Sequence, residues 1–191
     1  MSDARITRLD RRTVYRNRWM TVYEDDVRFP NGHESLYGLV KKPDFAAIVP
    51  IDAGGRLHLV EQFRYPVGLR LWEFPMGAWE DAPDADPETL ARAELREETG
   101  LTAGRIEALG TLFAACALID QTCHLFLATD LVPGPAAREA SESDMVTAAF
   151  TLAELRAMIL GGEIRDAVTI AAIGHLMLSG RLPPVPAPPL P

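Results

Sequence analysis

The sequence predicts an α+β domain, and three observations carry that prediction. Two short turn signals, Asn31-Gly32 and Asp52-Ala53-Gly54-Gly55, each stand between runs of strand-forming residues. One strongly helical stretch, roughly residues 87–99, is set between those strands and a second group of them. Regular alternation of strand and helix is absent, which excludes a doubly wound parallel sheet.

Each element follows from its local chemistry. Residues 20–29 (MTVYEDDVRF) and 34–42 (ESLYGLVKK) flank the first turn and form an N-terminal antiparallel unit. FAAIVPI (45–51) and RLHLVEQF (56–63) flank the second turn as a further hairpin, and the first of these runs is apolar enough for a central strand. Another strand approaches 71–75. Residues 77–86 read as a loop closed by Asp86 as helix N-cap, with Pro87 at the first helical position. Strands resume near 106–115, 122–130 and 145–151. Two helices finish the domain, over 152–160 and, after an Asp166 cap, over 167–178. The division expected is an N-terminal β extension (1–42), a main domain (43–180) and a proline-rich tail (181–191) in extended, mobile chain.

A chain of 191 residues suits one main domain with a sizeable core. A net charge of −8 with a pI near 5.0 argues against a general nucleic-acid or membrane-surface binder, which needs a basic face. No signal-peptide pattern and no apolar run of bilayer length are present, so the expectation is a cytoplasmic chain without membrane partners. Cys116 and Cys123 are too few for a disulfide framework and read as ordinary thiols. His33, His58, His124 and His175 are scattered and form no ligand pattern.

The stretch ARAELREETGL (91–101) poses the functional question. On a helix, Glu94 neighbours both Glu97 and Glu98, and no Lys or Arg stands three or four positions from any of the three. Elsewhere on the same helix Glu88 and Arg92 stand four apart in the favourable order. Gly100 ends the helix and sets Glu97 and Glu98 at the negative end of its dipole. Each like-charge pair costs about 0.2–0.5 kcal/mol. A solvated face is the ordinary explanation of a charge run, but this arrangement is better explained by a divalent cation. Carboxylate oxygens suit Mg²⁺ or Mn²⁺ rather than Zn²⁺.

These residues also carry a resemblance. GAWEDAPDADPETLARAELREETGL (77–101) resembles the Nudix box, whose second half is matched by Glu94, Leu95, Glu97, Glu98, Gly100 and Leu101. VEQFRYPVGLRLWEFPMG upstream, and GTLFAACALIDQTCHLFLATDL and GGEIRDAVTIAA downstream, resemble the branch of that family that cleaves ADP-ribose and nucleoside-diphosphate sugars. There are two departures. Gly77 lies 16 residues before Ala93, two more than in the family pattern, and the pattern's first Glu is missing. Glu80, Asp81, Asp84 and Asp86 are the acids available to replace it. The family Arg, which helps hold the glutamates, is Ala93 here.

The resemblance implies an α/β/α sandwich with a mixed, largely antiparallel sheet and an N-terminal hairpin extension that dimerises. It implies Mg²⁺-dependent attack of water on a nucleoside diphosphate linked to another group. Glu94 and Glu98 are then the main metal ligands, Glu97 a ligand or its neighbour, and the Met76 carbonyl a further oxygen. Glu142 in REASESDM (138–145) is the first choice of general base, and Glu139 the second. Arg64 is the candidate phosphate or sugar contact, and Glu73 resembles a substrate- or dimer-contacting position. Trp72, Trp79, Phe29 and Tyr65 are the aromatic side chains available to stack on a base. The competing expectations are a non-catalytic nucleotide sensor, motivated by Ala93, and a hydrolase of dinucleoside polyphosphates.

Overall fold

The structure, a computed structural model, describes residues 5–79, 81–82, 85–138 and 142–182. In chain order its elements are β1 (Thr7–Arg16), β2 (Thr21–Arg28), β3 (Glu34–Lys41), β4 (Phe45–Pro50), β5 (Leu57–Arg64), β6 (Leu69–Glu73), β7 (Met76–Gly77), α1 (Pro87–Thr99), β8 (Leu101–Leu112), β9 (Ile119–Asp120), β10 (Cys123–Pro133), β11 (Val146–Phe150), α2 (Leu152–Gly161) and α3 (Ala167–Leu178). They form three sheets, in the orders β1-β2-β3-β9, β7-β4-β10-β8 and β11-β5-β6. Strand β4 runs parallel to β10 and β3 parallel to β9; the other pairings are antiparallel. The α+β class read from the sequence is the class observed.

Strand β4 organises the core. Side chains alternate across a strand, and here both faces are covered. Ala46 and Ile48 meet Leu90, Ala91 and Leu95 of α1 on one face. Ala47 and Val49 belong to the other face, with Leu57 and Leu59 of β5, Leu155 of α2 and Ala172, Ile173 and Leu176 of α3. The active helix and the two C-terminal helices therefore lie on opposite sides of the central sheet.

The second hairpin is corrected by the structure. Its turn forms, with Asp52 Oδ1 accepting from the Gly54 and Arg56 amides at 2.9 Å each, and one bridge joins Ile51 to Leu57. Beyond that bridge the strands part into different sheets. Both edges of β4 are taken by β7 and β10, and both edges of β5 by β6 and β11. The turn signal was sound, but the ladder had no free edge to occupy.

Strand β1 was not anticipated. All ten of its residues are exposed, so it lacks the apolar alternation by which a half-buried strand is recognised. Strand β8 begins at Leu101 rather than 106, because its first residues pair with the far end of β10, Leu101 opposite Pro133. Only Arg181 and Leu182 of the proline-rich tail are among the described residues. No described helix is long and apolar enough to cross a membrane.

Candidate active site

Helix α1 is built to hold its carboxylates still. Asp86 caps it, its carboxylate accepting from the Thr89 amide and hydroxyl at 2.9 Å each, and Pro87 follows as the first helical residue. Gly100, with φ at 75°, ends it in the left-handed conformation. Leu90, Ala91 and Leu95 anchor the inner face, and Glu94 and Glu98 share that buried arc.

Glu98 is only 1% exposed and Glu94 8%. Burial pushes the Glu98 carboxyl well above the usual carboxylate range, and the charges of Glu94 and Glu142 push it the same way. The Met76 amide, donating to Glu98 Oε2 at 3.2 Å, and the Arg64 charge oppose them. Glu97 stands at the flank with Arg96 Nη2 3.6 Å away. The sequence reading, which looked three and four positions along the helix, did not count this partner. The pair is open to solvent and worth little. Arg92 is committed to Glu88 and to the Ala103 carbonyl.

The wall opposite α1 is residues 74–77. The Phe74 amide donates to Thr169 Oγ1 at 3.0 Å, the Ile48 amide donates to the Pro75 carbonyl at 3.0 Å, and β7 pairs with Ala46 and Ala47. Those bonds fix the backbone of Met76. Gly77 then meets Glu94 directly, since a β-carbon there would lie 2.4 Å from Glu94 Oε2. Only glycine lets that carboxylate lie against the strand.

Arg64 projects from the end of β5. Its Nε donates to both Glu73 oxygens, at 2.9 and 3.0 Å, and its Nη2 also donates to Glu73. Glu73 is 2% exposed, so the pair is a buried anchor beneath a partly exposed guanidinium. Glu73 reaches the cleft only through Arg64.

A cleft of about 920 Å³ joins these parts. Glu94, Glu97 and Glu142 supply its acidic side; Arg18, Lys42 and Arg64 supply positive charge; Trp19, Phe45 and Trp79 add aromatic surface. Of the four aromatics proposed for stacking, only Trp79 lines it. Trp72 packs edge-on against Phe150 at 4.9 Å, Phe29 lies against His33, and Tyr65 is 87% exposed in a turn. Among the described residues no group of three or more His, Cys, Asp or Glu side chains is gathered so as to hold a metal ion. The glutamates share one region, but their oxygens are not assembled into one cage.

Of the acids available to replace the missing first Glu, Asp86 is spent on capping and Asp81 stands at the cleft 4.0 Å from Arg18. Glu80, Asp84 and the second base candidate, Glu139, lie outside the described residues. Cys123 is buried, and burial foremost pushes its thiol up to about 12, which suits an inert core residue. The sequence reading missed Arg18, Trp19, Lys42, Phe45 and Gln121, which also line the cleft. Their chain positions are remote from the glutamates, and no local motif marks them.

Acidic, cationic and aromatic side chains thus line one cleft beside helix α1, a lining that suits a phosphorylated, ring-bearing small molecule. The chain belongs to the Nudix family: the NUDIX domain matches residues 40–172, and the nucleoside diphosphate sugar hydrolase N-terminal domain matches residues 6–40. It is 31% identical over 170 residues to an ADP-ribose pyrophosphatase of Bacillus subtilis (strain 168), covering 88% of this chain and 91% of that one. It is 33% identical over 178 residues to an ADP-ribose pyrophosphatase of Mycobacterium tuberculosis (strain ATCC 25618 / H37Rv), covering 91% and 85%. A crystal structure of an ADP compounds hydrolase shares the fold, with a TM-score of 0.79 and 24% identity over 92% of this chain and 95% of that one. The protein is thus a Nudix pyrophosphohydrolase, an enzyme that hydrolyses a nucleoside diphosphate linked to another group.

Proposed function

We propose that the enzyme cleaves ADP-ribose, or a closely related nucleotide sugar, to a nucleoside monophosphate and a sugar phosphate. One observation carries the reading: carboxylates and cations line one cleft that also offers aromatic surface. Two similar proteins named for ADP-ribose, and an N-terminal segment matched to nucleoside diphosphate sugar hydrolases, support that substrate class.

The donors at the acidic wall fit a hard divalent cation, Mg²⁺ with Mn²⁺ as the alternative. They are oxygens alone, and the Glu98 carboxyl sits where burial foremost, and then nearby negative charge, disfavours its ionisation. Glu94, Glu97, Glu98 and the Met76 carbonyl would hold the ion, whose charge neutralises the diphosphate. Arg64, braced by Glu73, grips phosphate or sugar oxygens with its fork of donors. Glu142, which lines the cleft and acts electrostatically on Glu98, takes the proton of the attacking water. That water's oxygen joins one phosphorus, and the bridging oxygen leaves with the other.

The working unit is a cytoplasmic homodimer, with residues 1–42 as the dimerising extension of a catalytic domain over 43–180. The exposed Leu9, Val14, Tyr15 and Leu36 of the N-terminal sheet support this assembly.

Turnover coupled to phosphate release, across ADP-ribose, ADP-glucose, GDP-mannose, UDP-glucose and diadenosine polyphosphates, tests the reading. Mg²⁺-dependent cleavage of ADP-ribose is expected, with more than about a 100-fold loss in Glu98→Gln. Unchanged turnover in that variant would sink the ligand assignment. Silence across the panel in folded protein would move the substrate outside the compounds of the panel.

A further inference from the structure

We propose that Arg138 is a positioning residue: it locks the segment that carries Glu142 onto the last turn of α1 and thereby sets Glu142 against Glu98. The proposal rests on the reading of Glu142 as the general base.

One guanidinium joins two separate pieces of the chain through three acceptors. Arg138 Nε donates to the Glu98 main-chain carbonyl at 2.9 Å, Nη2 donates to Thr147 Oγ1 at 2.8 Å, and Nη1 donates to the Met145 carbonyl. Glu98 belongs to the final turn of α1 and Thr147 to β11, while Met145 closes a turn by donating its amide to the Glu142 carbonyl at 3.0 Å. The donors of a guanidinium form a rigid planar fork, so fixing two acceptors largely fixes the third. A flexible ammonium has no such geometry.

The helix end is a natural seat for this group. The last carbonyls of a helix lack intrahelical partners and carry the negative end of its dipole. Next to Arg138, the Ala137 amide donates to the Glu97 carbonyl at 3.0 Å. The backbones also touch nearby, since a β-carbon on Gly100 would lie 2.4 Å from the Gly134 carbonyl oxygen. Residues 134–138 therefore form a seam along the C-terminal turn of α1. From β6, Arg70 adds an exposed contact to Asp144, within the turn that Glu142 opens.

Ala93 has no side chain able to brace the glutamates, whereas Arg138 reaches the last turn of the helix from another element, at the Glu98 main-chain carbonyl. Its hydrogen-bond partners among the described residues are two main-chain carbonyls and a hydroxyl, so the role proposed for it is one of position. Misplacing a reacting group by about 1 Å costs on the order of 100-fold in rate.

The test is a double-mutant cycle on the full chain with ADP-ribose and Mg²⁺, measuring kcat, KM and the melting temperature for Arg138→Gln, Arg138→Lys, Glu142→Gln and the Gln/Gln double variant. The expected result is a 10- to 100-fold fall in kcat for Arg138→Gln, on the order of the cost of misplacement, with KM within about threefold. Arg138→Lys should recover part of the loss, and the double variant should be no slower than Glu142→Gln alone. Losses that multiply in the double variant would overturn the proposal. So would wild-type kcat in an Arg138→Gln protein that merely melts earlier. Wild-type turnover in Glu142→Gln alone would instead remove the base assignment, and this proposal with it. The two failures are distinguished by the single Glu142 variant.

Discussion

At Gly77 a missing β-carbon matters more than any side chain nearby. Its backbone φ lies outside the left-handed range, so alanine is conformationally acceptable there, and the nearest obstacle to its β-carbon is the Glu94 carboxylate. Gly77→Ala should keep its melting temperature within about 3 °C, the shift that ~1 kcal/mol produces in a chain of this size, yet lose at least about tenfold in turnover. Parallel thermal and kinetic assays check both halves. Glu98 makes the opposite trade. Its folded carboxyl binds a proton more tightly than the unfolded one, so its contribution to stability is present below the unfolded pKa and is lost as pH rises through the folded value. In chelator-treated protein, Glu98→Gln should melt higher than wild type at pH 8, and the gap should close by pH 4. A gap that widened on acidification would refute this. At this scale the sequence disclosed the glutamates, because helical spacing puts them together. It did not disclose Arg138, whose three partners lie 40, 7 and 9 positions away along the chain.

Helix α2 shows how far capping chemistry defines an element. Thr151 accepts from the Glu154 amide at 3.3 Å, and the Glu154 carboxylate accepts from the Thr151 amide at 2.7 Å. Thr151→Ala should cost about 1 kcal/mol in a denaturant titration. Turnover should be unchanged, because the acidic helix lies on the far side of the central sheet. The same kind of signal, Asp86-Pro87 at one end and Gly100 at the other, placed α1 in the sequence with its observed boundaries. Strand partnership was less legible. A turn motif reports that the chain reverses, while the sheet each arm joins depends on edges supplied by β6, β7, β10 and β11. The exposed β1 gave no hydrophobic signal at all.

Across the whole molecule, the N-terminal sheet is thinly buried. Of its residues in β1, β2 and β3, Asp25 and Val27 are the buried ones, and Arg11 grips Asp25 through two bonds of 2.7 Å. Sedimentation equilibrium should return about twice the 21.0 kDa chain mass. Val14→Asp combined with Leu36→Asp should lower it toward one chain, since burying two unpaired charges is costly. A monomeric wild type would refute the dimer. The cleft was only half readable in the sequence: its acidic wall is a local motif, while Arg18 and Trp19 meet it only in three dimensions.

The parallel ladder between β4 and β10 pairs Phe45 with Cys123. Such distant partners must wait for most of the chain to leave the ribosome, and loop closure over that span slows their meeting. Strands β1 and β2, by contrast, pair with their immediate successors. The sheet beneath the acidic helix is joined across from β4 to β8 only when β10 arrives, and the segment bearing Glu142 emerges later still. During synthesis, therefore, the chain can gain catalysis only after both β10 and the segment bearing Glu142 have emerged.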